Sequence, residues 1–599
     1  MAEKKIIRKK SRRKKKSSFW KWLVGIVLVL LLLGTFFWLY PFWGVPLNGQ
    51  RHGNPPITPA WALECWLWED DVNTAARVDE LLAGYKEHDI PVRTILIDSP
   101  WSTRYNDFTV DTLRYPHPGK WFVKLQNAGY RVVLWMTCMV NSHSKDTAIR
   151  NSQAWYNRAR QRGYLAGDGF QVNWWKGSGG YIDYTNPLAR KWWHGMQEQV
   201  FRLGIDGWKL DGTATYFSSK IGPIPLPYQN VASGLLTTRG YMDRYYREEY
   251  RYGKKKNPDF VTLARAIDTP WAHPEGFAPI DAAPVTWVGD QEHTWRTPFT
   301  EGNPSSKKAL KNGFEEALDD VLRSARLGYN IIGSDVGGYS GKIIPPRLYI
   351  RWAQFSTFCG LFLNGGHGER RLWMRSPQEL EIIRRYSWLH TELVPYMYHY
   401  VITAHKGGLR LQRPVKGKYE YLFGDYFLVA PVYEDTTTRD VTFPSGRWRY
   451  IFDDSQVFEG GKTAAVSVPL EEFPVFVKEG AIVPLNVSRA YTGLGDRSSN
   501  GYVTYLIYPR GENQFTVFYP DGSGKTKISV QEKKNSIRIA LSGVHKPHIL
   551  RIFAEKAPRK ILLDGKLLVE KKDWHFDPKK RKLIVRVDSY DKGKYTILK

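Results

Sequence analysis

Gly207-Trp-Lys-Leu-Asp-Gly212 is the run on which the fold turns. A short strand-forming stretch ends in an aspartate and a glycine, so the chain leaves a sheet with a carboxylate at its edge. Alone, such an aspartate reads equally as a turn residue or a helix cap. Its weight comes from what surrounds it.

Outward from this run, short β-rich segments recur at residues 62–66, 92–97, 131–136, 206–210, 261–266, 284–288, 329–333 and 355–363. Helical patterns at 73–87, 121–127, 187–203, 305–327 and 346–357 fall between most of them. Eight strands alternating with helices predict an α/β fold, a closed (β/α)8 TIM barrel. The connection 138–205 is unusually long and polar, and long loops after barrel strands are where such folds build sites.

At the C-terminal ends of these strands stand Asp98, Asp211, Asp290 and Asp335, with Arg265 ending the fifth and His367 following the eighth. Carboxylates that crowd one mouth need cations, a shared proton or a polar ligand to be tolerated. Two of them at an aromatic-rich mouth suit glycoside hydrolysis, in which one attacks or stabilises the oxocarbenium-like centre and the other protonates the leaving oxygen. Asp211 and Asp290 are the expected pair. Their spacing in sequence does not fix their separation in space, so it leaves the stereochemical course open.

The chain has 599 residues, enough for a barrel and further modules, and its 24 Trp offer flat amphipathic platforms on which sugars can rest as well as core material. Cys65, Cys138 and Cys359 are few, scattered and set in apolar runs, which points to buried thiols and to no disulfide framework, metal or cofactor. Of the net charge of +28, residues 1–18 carry +9, so the body is basic in its own right. A basic surface can attract acidic polysaccharide, anionic lipid or nucleic acid, but no nucleic-acid partner is expected, because much of the argument for one rests on the tail.

That tail is the cationic stretch 4–16, followed by an unbroken apolar run from Trp22 to Tyr40. The run approaches the roughly 20 residues that a bilayer span needs, and the positive-inside rule keeps the basic block in the cytoplasm. A single-pass signal-anchor is expected, with the N-terminus cytoplasmic and the rest periplasmic, extracellular or lumenal. Beyond a helical segment at 377–404 the texture becomes short alternating strands, read as two sandwich-like β modules. The expected organisation is therefore a basic tail 1–18, an anchor 19–42, a linker 43–57, a catalytic barrel 58–405, a proximal β domain 406–490 and a distal β domain 491–599.

The order of motifs is specific. Trp61-Ala-Leu, His88-Asp-Ile-Pro, Asp183-Tyr-Thr-Asn-Pro, Gly207-Trp-Lys-Leu-Asp, Trp287-Val-Gly-Asp, Gly333-Ser-Asp-Val-Gly-Gly-Tyr339 and Arg351-Trp-Ala-Gln-Phe, continuing through Leu428-Val-Ala-Pro-Val, resemble glycoside hydrolase family 31 over residues 58–525. The resemblance implies a retaining, exo-acting α-glycosidase working by double displacement, with Asp211 as nucleophile and Asp290 as acid/base. It implies release of a terminal α-linked sugar such as α-glucose, α-galactose or α-xylose from an oligo- or polysaccharide or glycoconjugate. Asp98, Lys209, Arg265, Trp287, Asp335 and His367 would surround that sugar. Two departures bear on substrate: Gly212-Thr-Ala-Thr follows the nucleophile motif, and Leu363-Asn-Gly-Gly-His367 lacks the expected arginine. Fewer than twenty residues separate Tyr40 from Pro59, where the family carries a β-sandwich. Glu292 is a nearby substitute acid. Transglycosylation on the same scaffold, or catalytically silent polysaccharide binding, are the competing expectations.

Overall fold

In the computed structural model, residues 17–43, 53–267, 277–295 and 313–599 are described. The basic stretch 4–16, most of the linker and the start of the helix expected at 305–327 lie outside them.

The barrel strands are β1 (Cys65–Leu67), β2 (Thr94–Ile97), β3 (Arg131–Met136), β4 (Gly207–Leu210), β5 (Val261–Arg265), β6 (Val285–Trp287), β7 (Ile332–Gly333) and β8 (Phe362–Asn364). Each neighbours its successor in parallel through β7, and β1 pairs with β8, Cys65 opposite Phe362. A parallel bridge between Asp335 and Leu363 joins the remaining edge. The (β/α)8 barrel is thus present, nearly closed. Burial on both faces explains why the strands read as continuous apolar runs rather than alternating ones, with Val132, Val133 and Leu134 fully buried.

Two strands differ from expectation. A one-turn 3-10 helix at Ala60–Leu63 precedes β1 and delays it, and the helix Pro346–Thr357 takes up residues 355–357, so β8 starts only at Phe362. The helix Thr238–Lys256 behind β5 was not anticipated, because its buried stripe is built largely of tyrosines, Tyr241, Tyr245 and Tyr246, within a strongly charged sequence. The buried Glu249 on that helix accepts bonds from Tyr184 (2.5 Å), Trp193 (2.8 Å) and Gln197 (2.8 Å).

The long third connection carries its own three-stranded antiparallel sheet, Met139–Ser144, Gly177–Tyr181 and Val172–Trp174. After the helices Pro377–Glu392 and Val394–His405 come two sets of β-sheets. The first is a six-stranded antiparallel sheet from Gln412–Pro414 to Val475–Lys478 with a separate strand pair. The second packs a five-stranded sheet, antiparallel except for one pair, against a six-stranded one. Ile482–Leu485 pairs with Val503–Ile507 and so joins the second set, ahead of the expected division. Buried Arg351 ties the barrel to the first set, donating to the carbonyls of Glu472 (2.6 Å) and Val468 (2.7 Å).

The N-terminal helix Ser17–Trp43 exposes the apolar side chains of Phe19 to Leu33. Its side chains are described only over 19–35, and among the described residues no helix is long and apolar enough to cross a membrane.

Candidate active site

Parallel strands in common register deliver their C-terminal residues to one rim. Asp98 follows β2 directly, Asp211 follows β4, Arg265 ends β5, Asp290 lies three residues beyond β6, and His367 three beyond β8. A cavity of about 770 Å³ opens there, lined by Asp98, Lys209, Asp211, Arg265, Asp290 and His367 among others.

Its centre is one guanidinium between two carboxylates. Arg265 Nη2 donates to Asp211 Oδ1 at 3.0 Å and to Asp290 Oδ2 at 3.0 Å. Two such contacts from one nitrogen hold these oxygens no more than 6.0 Å apart, twice 3.0 Å. Carboxyl groups of retaining glycosidases stand roughly 5–5.5 Å apart and those of inverting ones about 6.5–9.5 Å.

The two acids differ in setting. The Asp211 side chain is 12% exposed and that of Asp290 32%. Asp211 Oδ1 also accepts from the Gly212 amide (2.6 Å) and its Oδ2 from the Trp135 ring N–H (3.0 Å). Burial would raise the Asp211 carboxyl, but Arg265, then Lys209 and these two donors, hold it below the ordinary aspartate range. It is an ionised, fixed carboxylate; Asp290 faces the open side.

Beneath them runs a second charged layer. Lys209 Nζ donates to Asp98 Oδ2 at 2.7 Å and lies 4.1 Å from the Trp68 ring and 5.2 Å from that of Trp287. Although burial opposes its charge, Asp98, Asp211 and Asp335 keep Lys209 protonated. Burial pushes Asp98 up to about 6 against the pull of Lys209. Asp335 accepts from the Trp68 ring N–H at 3.2 Å, while its buried Oδ2 has no partner; burial raises this carboxyl to about 7. Trp68 fits only because residue 365 is glycine: a Cβ there would stand 1.6 Å from the ring. Trp287 does not reach the cavity surface. It is fully buried behind Lys209 and Arg265, whose guanidinium sits 4.8 Å from its ring.

On the β1 and β8 side, His367 Nδ1 donates to Asp71 Oδ1 at 2.7 Å and its Nε2 lies 3.4 Å from Asp70 Oδ2. The Tyr339 hydroxyl donates to Asp70 at 2.8 Å. Burial raises the Asp71 carboxyl, but the bonds from His367 and the Gly368 amide outweigh it and leave it below its usual range. Across the mouth, the long third connection contributes Trp175 and the pair Lys176–Asp146 (2.7 Å), with Tyr216 beside them.

Sequence reasoning missed Asp70, Asp71 and Trp135. Asp70 and Asp71 stand three and four residues beyond β1, as Asp290 and His367 stand three beyond β6 and β8, so an acid pair at that spacing was the available signal; for Trp135 it was a tryptophan at the penultimate position of β3. Glu292 bridges Ser340 through its backbone and is not among the lining residues.

Residues 55–400 match the family model described as glycosyl hydrolases family 31 TIM-barrel domain, and residues 409–483 the one described as glycosyl hydrolase family 31 C-terminal domain. Alpha-glucosidase 2 of Bacillus thermoamyloliquefaciens is 25% identical over 572 residues, covering 89% of this chain and 68% of that protein. The isomaltosyltransferase of Sporosarcina globispora is 22% identical over 617 residues, covering 91% of this chain and 53% of that one. A GH31 dextranase of Flavobacterium johnsoniae, solved with glucose, superposes with a TM-score of 0.78 at 22% identity, over 91% of this chain and 71% of that one. The chain thus spans about half to two thirds of the length of these curated relatives.

Proposed function

Since the chain belongs to glycosyl hydrolase family 31, a family acting on O-glycosyl bonds, we propose that it is a retaining, exo-acting α-glycoside hydrolase. The observation that carries this reading is the Arg265 nitrogen shared by Asp211 and Asp290, which gathers one oxygen of each acid within 6.0 Å of the other, twice 3.0 Å, at the same mouth.

In the first step an Asp211 oxygen bonds to the anomeric carbon as the glycosidic C–O bond breaks, and Asp290 gives its proton to the leaving oxygen. In the second, water attacks that carbon, Asp290 takes the water proton, and Asp211 leaves as a carboxylate. The cations around Asp211 suit a nucleophile that must stay ionised, and the greater exposure of Asp290 suits a group that meets both leaving group and water. Asp98 and His367 supply an acceptor and a donor for the terminal sugar's hydroxyls, and Asp335 lies beneath them, buried and outside the cavity lining. Trp287 acts by backing Lys209 and Arg265. Relatives named alpha-glucosidase, alpha-xylosidase and dextranase favour a terminal α-glucose or α-xylose.

Replacing Asp211 by glycine and supplying azide tests the mechanism: an azide filling the emptied position should yield the β-glycosyl azide from an aryl α-glycoside. Full turnover without azide would refute it. The relative named isomaltosyltransferase favours a second reading in which a sugar hydroxyl replaces water. Product analysis with added isomaltose separates the two. The basic block ahead of an exposed apolar helix supports the further proposal of membrane anchoring with the barrel on the outer side; a reporter fused to residues 1–50 and recovered in the soluble fraction would reject it.

A further inference from the structure

Far along the sequence from the mouth, a cleft of about 450 Å³ lies among the helix Pro377–Glu392, the turn 451–455, the loop 492–494 and the hairpin turn 579–582. Its rim is cationic: Arg385, Arg551, Lys579, Lys580, Arg581 and Lys582. Two of these are committed, Lys582 to Asp454 and the Tyr508 hydroxyl, and Arg581 to Glu555 at 3.6 Å. Among the described residues, Arg385, Arg551, Lys579 and Lys580 form no ion pair with a carboxylate.

Arg551 is the informative one. It is 9% exposed, its only described hydrogen bond is to the Gly493 carbonyl at 3.4 Å, and its buried Nε has no partner. A buried guanidinium this poorly satisfied costs free energy unless something else meets it. Lys579 and Lys580 sit on a turn fixed by Asp577, whose Oδ1 accepts from both of their amides at 3.0 Å. Between these cations the lining holds the apolar Ile451, Phe452, Leu494 and Leu506 together with Asp453 and Asp454.

We propose that this cleft binds a segment of uronate-bearing polysaccharide, with carboxylates on Arg551, Lys579 and Lys580 and a sugar face on the apolar side chains. A carboxylate matches the planar fork of arginine. A concave site that includes a buried arginine suits a chain that enters it, whereas a bilayer surface meets only what protrudes. The surplus positive charge of the chain beyond residue 18 draws the same class of polymer toward it.

Titration of the whole protein with the hexamer of β-1,4-linked mannuronate tests this, with the neutral β-1,4-mannan hexamer as control. The acidic hexamer should bind and the neutral one should not, and affinity should fall as salt rises. The double substitution Lys579→Ser and Lys580→Ser, on an exposed turn, should weaken binding about tenfold with Tm unchanged, and Arg551→Gln should weaken it comparably. No uptake of the acidic hexamer, equal uptake of the neutral one, or unaltered affinity in both variants would overturn the proposal. So would capture by phosphatidylglycerol vesicles that the double substitution abolishes, which would make the cleft a membrane contact.

Discussion

The barrel mouth and the distal cleft use opposite electrostatics. At the mouth the acids outnumber the cations and the central cations are each fixed to a carboxylate: Arg265 to Asp211 and Asp290, Lys209 to Asp98, Lys176 to Asp146. In the cleft the cations outnumber the acids, and among the described residues Arg385, Arg551, Lys579 and Lys580 are in no ion pair. Fixed charges of both signs preorganise a site that must stabilise charge as it develops. Unpaired charges of one sign serve to hold an oppositely charged ligand. Beside the cleft, Glu392, bonded to Thr492 at 3.1 Å, is pushed up to about 8 by burial against the bond from Thr492 and the attraction of Arg551.

The contrast can be broken most severely at Asp211. Asp211→Asn keeps the shape but removes the attacking charge, and turnover of an aryl α-glycoside should fall on the order of 10⁴-fold. Turnover within tenfold of the parent would move the nucleophile elsewhere. Arg265→Met comes next. It leaves two carboxylates without their shared cation, so kcat/KM should drop roughly 10²–10³-fold. Because Arg265 helps hold Asp211 below its usual range, the acid limb of the pH profile should also move to higher pH. An unmoved limb would mean that Arg265 does not set the charge of Asp211.

Lys209→Met sharpens the comparison through stability. It strands Asp98 as a buried acid beneath the mouth, and chemical unfolding at neutral pH should show a loss of about 3–5 kcal/mol. A neutral result would mean that the pair does not stabilise the barrel.

The smallest effect belongs to Glu392→Gln. The folded chain holds the Glu392 proton up to about pH 8, whereas an unfolded glutamate releases it near pH ~4.3. Its contribution is therefore whole below the lower value, declines through that window and is lost above about 8. Glutamine does not titrate, so the stability of the variant relative to the parent should rise between pH 4 and pH 9. An equal difference at both pH values would contradict the burial argument.

How much of this was legible follows from what each level depends on. The alternation of strand and helix patterns, and the acids at strand ends, are local features, so seven of the eight rim positions singled out beforehand do converge on the mouth or the layer directly beneath it. Trp287 belongs to the wall, since whether a strand-end tryptophan faces the cavity or backs its cations depends on neighbours that come from other strands. Asp70 and Asp71 lie in the loop after β1, where only folding brings them against His367 and Tyr339, and the helix Thr238–Lys256 is built on tyrosines that read as polar but pack as core.

By itself the sequence determined the barrel, its order of strands and the placing of Asp98, Asp211 and Asp290 at the strand ends, because periodicity and turn chemistry act between near neighbours. Only the tertiary structure decided that one guanidinium nitrogen binds both Asp211 and Asp290. Their separation is set by the pairing of β4, β5 and β6 in space, and the 78 residues of chain between the two acids carry no record of it.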